Sequence, residues 1–316
     1  MEKQEFNDEA KRILNERENA SQDNKGGLGK VASIQIQSEP SGSSLIDEIG
    51  WIRIKTETLP SQGVFYPQGT DITIRAASSA EIRHWSTIDE EDVLSMDDGL
   101  NRLIDKCCRV KFPKMMGSFK DLKEIDRFFL VFAIREFTFK KGENGLNVTF
   151  TCKSCGKVEQ KSIIKEMLSY YAPSPELQAR FSEDERCFHL KLDTGEEIKL
   201  YLPTLGVMNY IKQFIKDKMQ RKEEYDTAFL KWAPFIFADW RILNDATYQS
   251  ALQDSYAWST SKISILDWFI DQMQKTIKAE LTHTCSICSA EITAPISFRG
   301  GFKSIFLISD ISSRLL

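Results

Sequence analysis

Hydrophobic and polar positions alternate in two short stretches, as they do along half-buried β-strands. The alternation covers residues 51–55 and 71–75, and a segment rich in turn-forming residues separates the two. Ser78 and Glu81 then supply the hydroxyl and the carboxylate of a helix capping box. This part of the chain is therefore predicted to form two strands followed by a helix.

Further along, apolar residues recur at three- and four-residue spacing, which predicts amphipathic helices. The predicted helices cover residues 97–108, a segment starting near Ser118 or Asp121, a segment starting after Thr204, residues 223–240 with a bend near Pro234, and residues 261–278. Residues 188–192 and 198–202 alternate around a Gly-containing turn and predict a hairpin.

Two C-x-x-C pairs are flanked by strand-like sequence, which predicts β-hairpins that turn at the cysteines. The pairs are Cys152 with Cys155 and Cys285 with Cys288. The flanking strand patterns cover residues 146–150, 158–163, 282–285 and 292–298. A tight C-x-x-C turn directs both sulfurs to one side, and four thiolates in a tetrahedron suit Zn²⁺. The four cysteines are predicted to bind one Zn²⁺, with a structural role because no coordination position is left for water.

Three alternatives to a single four-thiolate site remain open. A thioredoxin-type redox pair expects a helix after C-x-x-C, and neither pair is followed by a helical pattern. The second alternative is that the four cysteines are ordinary buried thiols. The third is that they belong to two separate metal sites completed by other ligands, for which His283 and His189 are available. An odd total of seven cysteines without a secretory signal argues against a disulfide framework.

The two cysteine pairs lie too far apart in the chain for a compact zinc ribbon, so the region between them is predicted to be an insertion whose ends return to the same place. The expected fold class is α+β, with two zinc-knuckle hairpins joined at one four-cysteine site and a mostly helical insertion. The predicted regions are a flexible tail at 1–47, an α+β region at 48–163, the insertion at 164–280 and a second knuckle with the C-terminal segment at 281–316.

Composition and charge narrow the function classes. The 316 residues carry a formal net charge of -4, which does not favour general nucleic-acid binding. No apolar run reaches the roughly 20 residues of a membrane helix, and residues 1–6 lack a signal-peptide core. A basic helix face is interpreted as a solvated surface, with a partner or nucleic-acid contact as the alternative: Lys212, Lys216, Lys218, Arg221 and Lys222.

Motifs of known enzyme chemistry are not recognised in the chain. The three histidines form no H-E-x-x-H pair, and no G-x-S-x-G nucleophile elbow occurs. The glycine-rich residues 26–30 lack the spacing and the preceding strand of a phosphate-binding loop. The sequence therefore predicts a protein that is not an enzyme and has no small-molecule substrate.

An ordered set of motifs resembles the baseplate hub proteins of T4-like contractile-tailed bacteriophages. Residues 59–67 read LPSQGVFYP, and the strand at 72–75 and the Ser/Glu helix start at 78–81 follow. Residues 126–136 read DRFFLVFAIRE, and the C-x-x-C-G of Cys152 to Gly156 comes shortly after. The second cysteine pair departs from this pattern, because Ser289 follows Cys288 where the first knuckle has Gly.

The resemblance implies a structural component of a contractile tail baseplate that mediates protein–protein assembly. Its partners would be other baseplate and tail proteins, and it would reside in the virion after assembly in the host cytoplasm. Two alternatives stay open: a chaperone of hub assembly that does not remain in the particle, and a zinc-ribbon nucleic-acid-binding protein. The basic face and the Arg-Gly-Gly-Phe run at 299–302 motivate the second.

Overall fold

The described part of the chain comprises residues 50–139, 146–276, 280–296, 298 and 301–306 of a computed structural model. The predicted tail at 1–47 lies outside the described residues, as do the glycine-rich loop within it and residues 299–300 of the Arg-Gly-Gly-Phe run.

The first predicted strands form an antiparallel sheet in the order β1–β2–β3. Its strands are β1 (Trp51–Ile54), β2 (Asp71–Arg75) and β3 (Cys108–Lys111). The alternation that predicted β2 is visible in its packing, because Ile72 and Ile74 are buried while their neighbours are partly exposed. The predicted capping box also forms: Ser78 Oγ accepts from the helix backbone, and Ser78 N donates to Glu81 at 2.6 Å.

Helices account for most of the remaining chain. They are α1 (Ser79–Ser86), α2 (Val93–Cys107), α3 (Arg127–Thr138), α4 (Pro175–Gln178), α5 (Leu205–Arg221), α6 (Thr227–Ile236), α7 (Asp245–Ser255) and α8 (Thr260–Thr276). Short 3₁₀ turns occupy Thr56–Thr58, Phe119–Asp121, Glu124–Asp126, Lys165–Met167 and Phe302–Ile305.

Several helix boundaries differ from the expectation. Helix α2 begins at Val93, four residues before the predicted start, because the Asp92 side chain caps it by accepting from Leu94 N at 2.9 Å. The helix predicted to begin near Ser118 is replaced there by two 3₁₀ turns before α3. Helix α7 has few apolar positions and was not predicted, and it begins with a capping box between Asn244 and Thr247.

The remaining strands form a second small sheet and two separate hairpins. The second sheet has the order β6–β7–β8, with β6 (Phe181–Ser182), β7 (Cys187–Lys191) and β8 (Glu197–Leu200). The hairpins are β4 (Asn147–Thr151) with β5 (Val158–Ser162), and β9 (Glu280–Thr284) with β10 (Glu291–Pro295). Strand β4 packs against β10, which places the two hairpins side by side.

Two hydrophobic cores share the described chain. The first contains Trp85, Phe129 and Phe150 and draws on the first sheet, α1 to α3 and both cysteine hairpins. The second contains Phe188 and Phe269 and comes almost wholly from the region between the hairpins. The ends of that region return together, because Leu168 and Leu281 form an antiparallel bridge.

The adjacent residues Phe65 and Tyr66 pack into different cores and so connect them. Phe65 belongs to the second core and makes an edge-on ring contact of 4.9 Å with Tyr171. Tyr66 belongs to the first core. The helices and small antiparallel sheets together confirm the predicted α+β class. Within the described residues, no helix is both long enough and apolar enough to cross a bilayer.

Candidate metal centre

The first cysteine pair lies in the turn between β4 and β5. Cys152 N donates to Lys157 O at 2.8 Å, and Gly156 N donates to Cys152 O at 2.9 Å, so the turn folds back on its first cysteine. Gly156 has a φ of 73°, a left-handed conformation in which glycine avoids the Cβ clash of other residues. The sequence Cys-Lys-Ser-Cys-Gly therefore forms a tight knuckle that directs both sulfurs to the same side.

The second pair repeats this geometry between β9 and β10. Cys285 N donates to Ala290 O at 2.9 Å, and Ser289 N donates to Cys285 O at 3.0 Å. Ser289 has a φ of 57° and takes the left-handed conformation that Gly156 takes in the first knuckle. The missing glycine thus leaves the turn unchanged and places a strained non-glycine residue in it.

The two knuckles bring the four predicted sulfurs into one cluster. Cys152 Sγ lies 3.5 Å from Cys288 Sγ, and Cys155 Sγ lies 3.6 Å from Cys285 Sγ. All four Sγ atoms lie within 4.8 Å of one another. With Zn–S bonds of about 2.3 Å, tetrahedral geometry separates neighbouring sulfurs by about 3.8 Å, whereas a disulfide requires about 2.05 Å. The spacing fits a four-thiolate metal site and excludes a disulfide in this structure.

Burial follows the same order in both knuckles. Cys152 and Cys285, the first cysteine of each pair, are 1% and 2% exposed, whereas Cys155 and Cys288 are exposed. The cluster thus lies at the surface of the first core. The packed hairpins cover one side of it, and the other side faces solvent.

Glu159 links the two knuckles through hydrogen bonds. Its Oε1 accepts from Ser286 N at 3.0 Å and also from the Ser286 hydroxyl, and Nε2 of His283 lies 2.9 Å from its Oε2. These bonds from Ser286 and His283 lower the pKa of Glu159 to about 2. A carboxylate on β5 therefore holds the backbone of the second knuckle in position beside the first.

Backbone dipoles favour thiolate at the start of the first knuckle. The N–H groups of Cys155 and Ser154 point at Cys152 Sγ, and these hydrogen bonds lower the pKa of its thiol despite desolvation. A metal ligand must be deprotonated, so this arrangement prepares Cys152 to bind a cation.

The structure also bears on the alternatives to a single four-thiolate site, namely a redox-active cysteine pair and metal sites completed by His283 or His189. Both C-x-x-C turns lead into strands, β5 and β10, and not into the helix that follows a thioredoxin-type pair. His283 faces Glu159 and is not among the four clustered ligands. His189 lies in a separate group with Glu185 and Cys187.

Sequence reasoning missed two features, the role of Glu159 at this site and the separate group of Glu185, Cys187 and His189. Glu159 gave no signal because nothing in a strand sequence reveals its partner on a hairpin more than 120 residues later. The group around His189 had a weak signal, the Cys187-x-His189 spacing, which places both side chains on one face of a strand.

Comparison with protein-family models, with curated proteins and with solved structures found no match to this chain.

Proposed function

We propose that this protein is a zinc-stapled structural component that mediates protein–protein assembly, and that it belongs to the baseplate of a contractile phage tail. The observation that carries the first part is the convergence of Cys152, Cys155, Cys285 and Cys288, whose spacing fits one tetrahedral Zn²⁺. An ion bound there would close the region between the hairpins, at the ends already joined by Leu168 and Leu281.

The donor set argues for a scaffold role of this ion. Four thiolates saturate a tetrahedral ion and leave no position for a substrate or a catalytic water. Structural zinc sites contribute folding free energy directly, and apparent binding energies in small zinc peptides are about 10–16 kcal/mol. An ion at this position would therefore stabilise the junction of both hairpins with the first core.

The charged residues of the motif at 126–136 are used inside the molecule. Asp126 accepts hydrogen bonds from the 59–67 segment, and Arg127 pairs with Asp97. Arg135 Nε donates to Ile305 O at 2.7 Å, and Glu136 pairs with Lys165 at 2.6 Å. These contacts show that the charged residues of the motif hold segments of this chain together.

The placement in a baseplate rests on the ordered motifs that resemble the T4-like hub proteins. The partners we propose are other baseplate and tail proteins, in the virion and in the host cytoplasm during assembly. Mass spectrometry of purified particles tests this placement. Detection of the chain at a fixed ratio to other baseplate proteins supports it, and a chain found in infected cells but absent from particles would favour the assembly chaperone instead.

Elemental analysis of the purified chain tests the staple separately. We expect Cys152→Ser to lose the ion bound at the four-cysteine cluster and to unfold at a lower urea concentration, while Cys107→Ser keeps that ion. A Cys152→Ser variant with unchanged zinc content and stability would refute the four-thiolate site.

Nucleic-acid binding is the weaker alternative, because the basic face on α5 is partly neutralised. Lys212 is bound to the buried carboxylate of Asp97, and Lys218 Nζ lies 2.6 Å from Glu223 Oε2. A gel-shift assay over a range of salt concentrations tests it, and salt-sensitive binding would favour this alternative over the scaffold.

A further inference from the structure

A second group of metal-ligating side chains lies on the outer face of the β6–β7–β8 sheet, away from the four-cysteine cluster. Cys187 and His189 are two residues apart on β7, so both side chains point to the same face. Glu185 precedes β7 in the turn that follows β6, where Arg186 takes a left-handed φ of 55°. One ligand atom from each of the three residues lies within 4.8 Å of the others.

The separations of these atoms match the edges of a tetrahedron around zinc. Cys187 Sγ lies 3.5 Å from His189 Nε2, His189 Nε2 lies 3.4 Å from Glu185 Oε2, and Sγ lies 3.7 Å from the same oxygen. Zn–S, Zn–N and Zn–O bonds of about 2.3, 2.0 and 2.1 Å at tetrahedral angles give edges of about 3.3–3.6 Å. The three atoms therefore already surround a point at bonding distance from all of them.

The second nitrogen of the histidine is oriented as in metal sites. His189 Nδ1 is hydrogen-bonded to Glu197 Oε1 on the neighbouring strand β8. Metal-ligating histidines usually donate their other ring N–H to a carboxylate, which fixes the tautomer and makes the ligating nitrogen more basic. Glu197 thus leaves Nε2 as the free acceptor, on the side where Cys187 and Glu185 lie.

We propose that Glu185, Cys187 and His189 form a second binding site for a borderline-soft divalent transition-metal ion such as Zn²⁺. Three protein ligands leave a fourth position for water or for a ligand from another molecule. Glu197 is a positioning residue that acts through His189. The site is independent of the four-cysteine cluster and of the baseplate placement.

The same residues could also form a catalytic site with a cysteine nucleophile, in which His189 activates Cys187 and Glu197 orients the histidine. Two observations favour a metal site over that catalytic site. Cys187 is 0% exposed, so a substrate carbonyl has no path to its sulfur, whereas a small ion is reached through its exposed neighbours. The Glu185 carboxylate also contacts both Sγ and Nε2, and a negative charge there disfavours a free thiolate while it favours a bound cation.

Lys199 competes with an ion for this site. Its ammonium lies 2.5 Å from Glu185 Oε2, and its side chain is 46% exposed. A metal ion must displace this amine or share the carboxylate with it. Lys199 therefore sets the affinity of the site, and replacing it with a neutral residue removes a repulsive charge from beside the ion.

Zinc titration of the full-length chain tests the proposal. We expect the wild-type chain to bind two Zn²⁺ ions, and Glu185→Gln, Cys187→Ser and His189→Gln each to bind one. Glu185→Gln changes an exposed turn residue, so it separates lost binding from lost folding, and His84→Gln is the matched histidine control that keeps two ions. If the wild-type chain binds only the ion of the four-cysteine cluster, or if Cys187→Ser/His189→Gln keeps the second ion, the proposal is wrong.

Two further variants probe the geometry in opposite directions. Glu197→Gln is expected to weaken Zn²⁺ binding at this site about 10- to 100-fold, as outer carboxylate partners do elsewhere. Lys199→Gln is expected to tighten it by about fivefold or more. Circular dichroism checks that each variant is folded, and equal affinities in the wild type and both variants would contradict the assigned ligand geometry.

Discussion

The phenol hydroxyl of Tyr66 donates a hydrogen bond of 2.8 Å to Oδ2 of Asp126, in the interior of the protein. Ser61 N donates to the other carboxylate oxygen at 2.8 Å, and Lys123 N donates to the Tyr66 hydroxyl at 2.9 Å. Tyr66 and Ser61 belong to the segment at 59–67, and Asp126 begins the one at 126–136. Two of the motifs on which the baseplate resemblance rests, those at 59–67 and 126–136, are therefore joined by buried hydrogen bonds.

Removing the Tyr66 hydroxyl tests the contribution of this unit to stability. Tyr66→Phe takes a donor from the buried carboxylate and an acceptor from Lys123 N, so we expect the free energy of unfolding to fall by about 1–3 kcal/mol. Urea denaturation measures the change. Tyr256→Phe is the control, since Tyr256 is 64% exposed and its substitution should change stability by no more than about 0.5 kcal/mol.

Asp126 should also make stability depend on pH. Burial raises the pKa of Asp126 to about 6, in spite of the opposing hydrogen bonds from Ser61 and Tyr66. Since its pKa is higher in the folded than in the unfolded state, its contribution is fully present below the unfolded pKa of about 4 and is lost as pH rises through 6. Between pH 5 and 7 the wild type should lose about 1 kcal/mol relative to Asp126→Asn. Urea curves for both proteins at the two pH values measure this, and parallel losses would contradict it.

The knuckle turns offer a matched pair of substitutions. Ser289→Gly should raise the free energy of unfolding by about 0.5–1 kcal/mol, because relief of left-handed strain exceeds the entropy that glycine adds to the unfolded chain. Gly156→Ser should lower it by about 1 kcal/mol for the converse reason. Thermal or urea unfolding in the presence of saturating zinc measures both. Shifts of the same sign in the two variants would show that the turns are not equivalent.

If the four-cysteine cluster binds zinc as proposed, Glu159 should affect how tightly the ion is held. Glu159→Gln weakens the bonds to Ser286 and His283 that position the second knuckle, so we expect about 10- to 100-fold lower zinc affinity in competition with a chelator. Lys161→Gln is the control. Lys161 lies 3.7 Å from Glu159 but is 40% exposed, so this substitution should leave the zinc affinity close to that of the wild type. An affinity equal to that of the wild type would show that Glu159 does not support the site.

Asp97 and Asp98 are neighbours in sequence, but replacing them with alanine should change the free energy of unfolding by very different amounts. Asp97 is buried and binds Arg127 and Lys212; burial opposes its ionisation, but the two positive charges outweigh this and lower its pKa. Asp97→Ala leaves two cations without their shared partner and should cost about 3–5 kcal/mol. Asp98→Ala, at an exposed position, should change stability by no more than about 0.5 kcal/mol. Chemical denaturation measures both, and similar effects would contradict the central role of Asp97.

The local elements followed largely from the sequence, since their signals lie within a few residues. Alternation in β2, the Ser78–Glu81 capping box and the C-x-x-C turns each depend on neighbouring side chains and backbone geometry. Helix α7 was missed because it has few apolar positions and depends on tertiary contacts such as the burial of Tyr248.

What the sequence determined by itself was the pair of cysteine knuckles, because two thiols in one tight turn already share a direction. The sequence also predicted that the two knuckles meet at one site, whereas the tertiary structure decided which other groups join distant segments. It brought the knuckles together through Glu159 and Ser286, placed Tyr66 against Asp126, and set Glu185 and Glu197 around the Cys187–His189 strand. These contacts arise when separate hydrophobic faces pack into common cores, and residue spacing along the chain does not encode which polar groups that packing brings into reach.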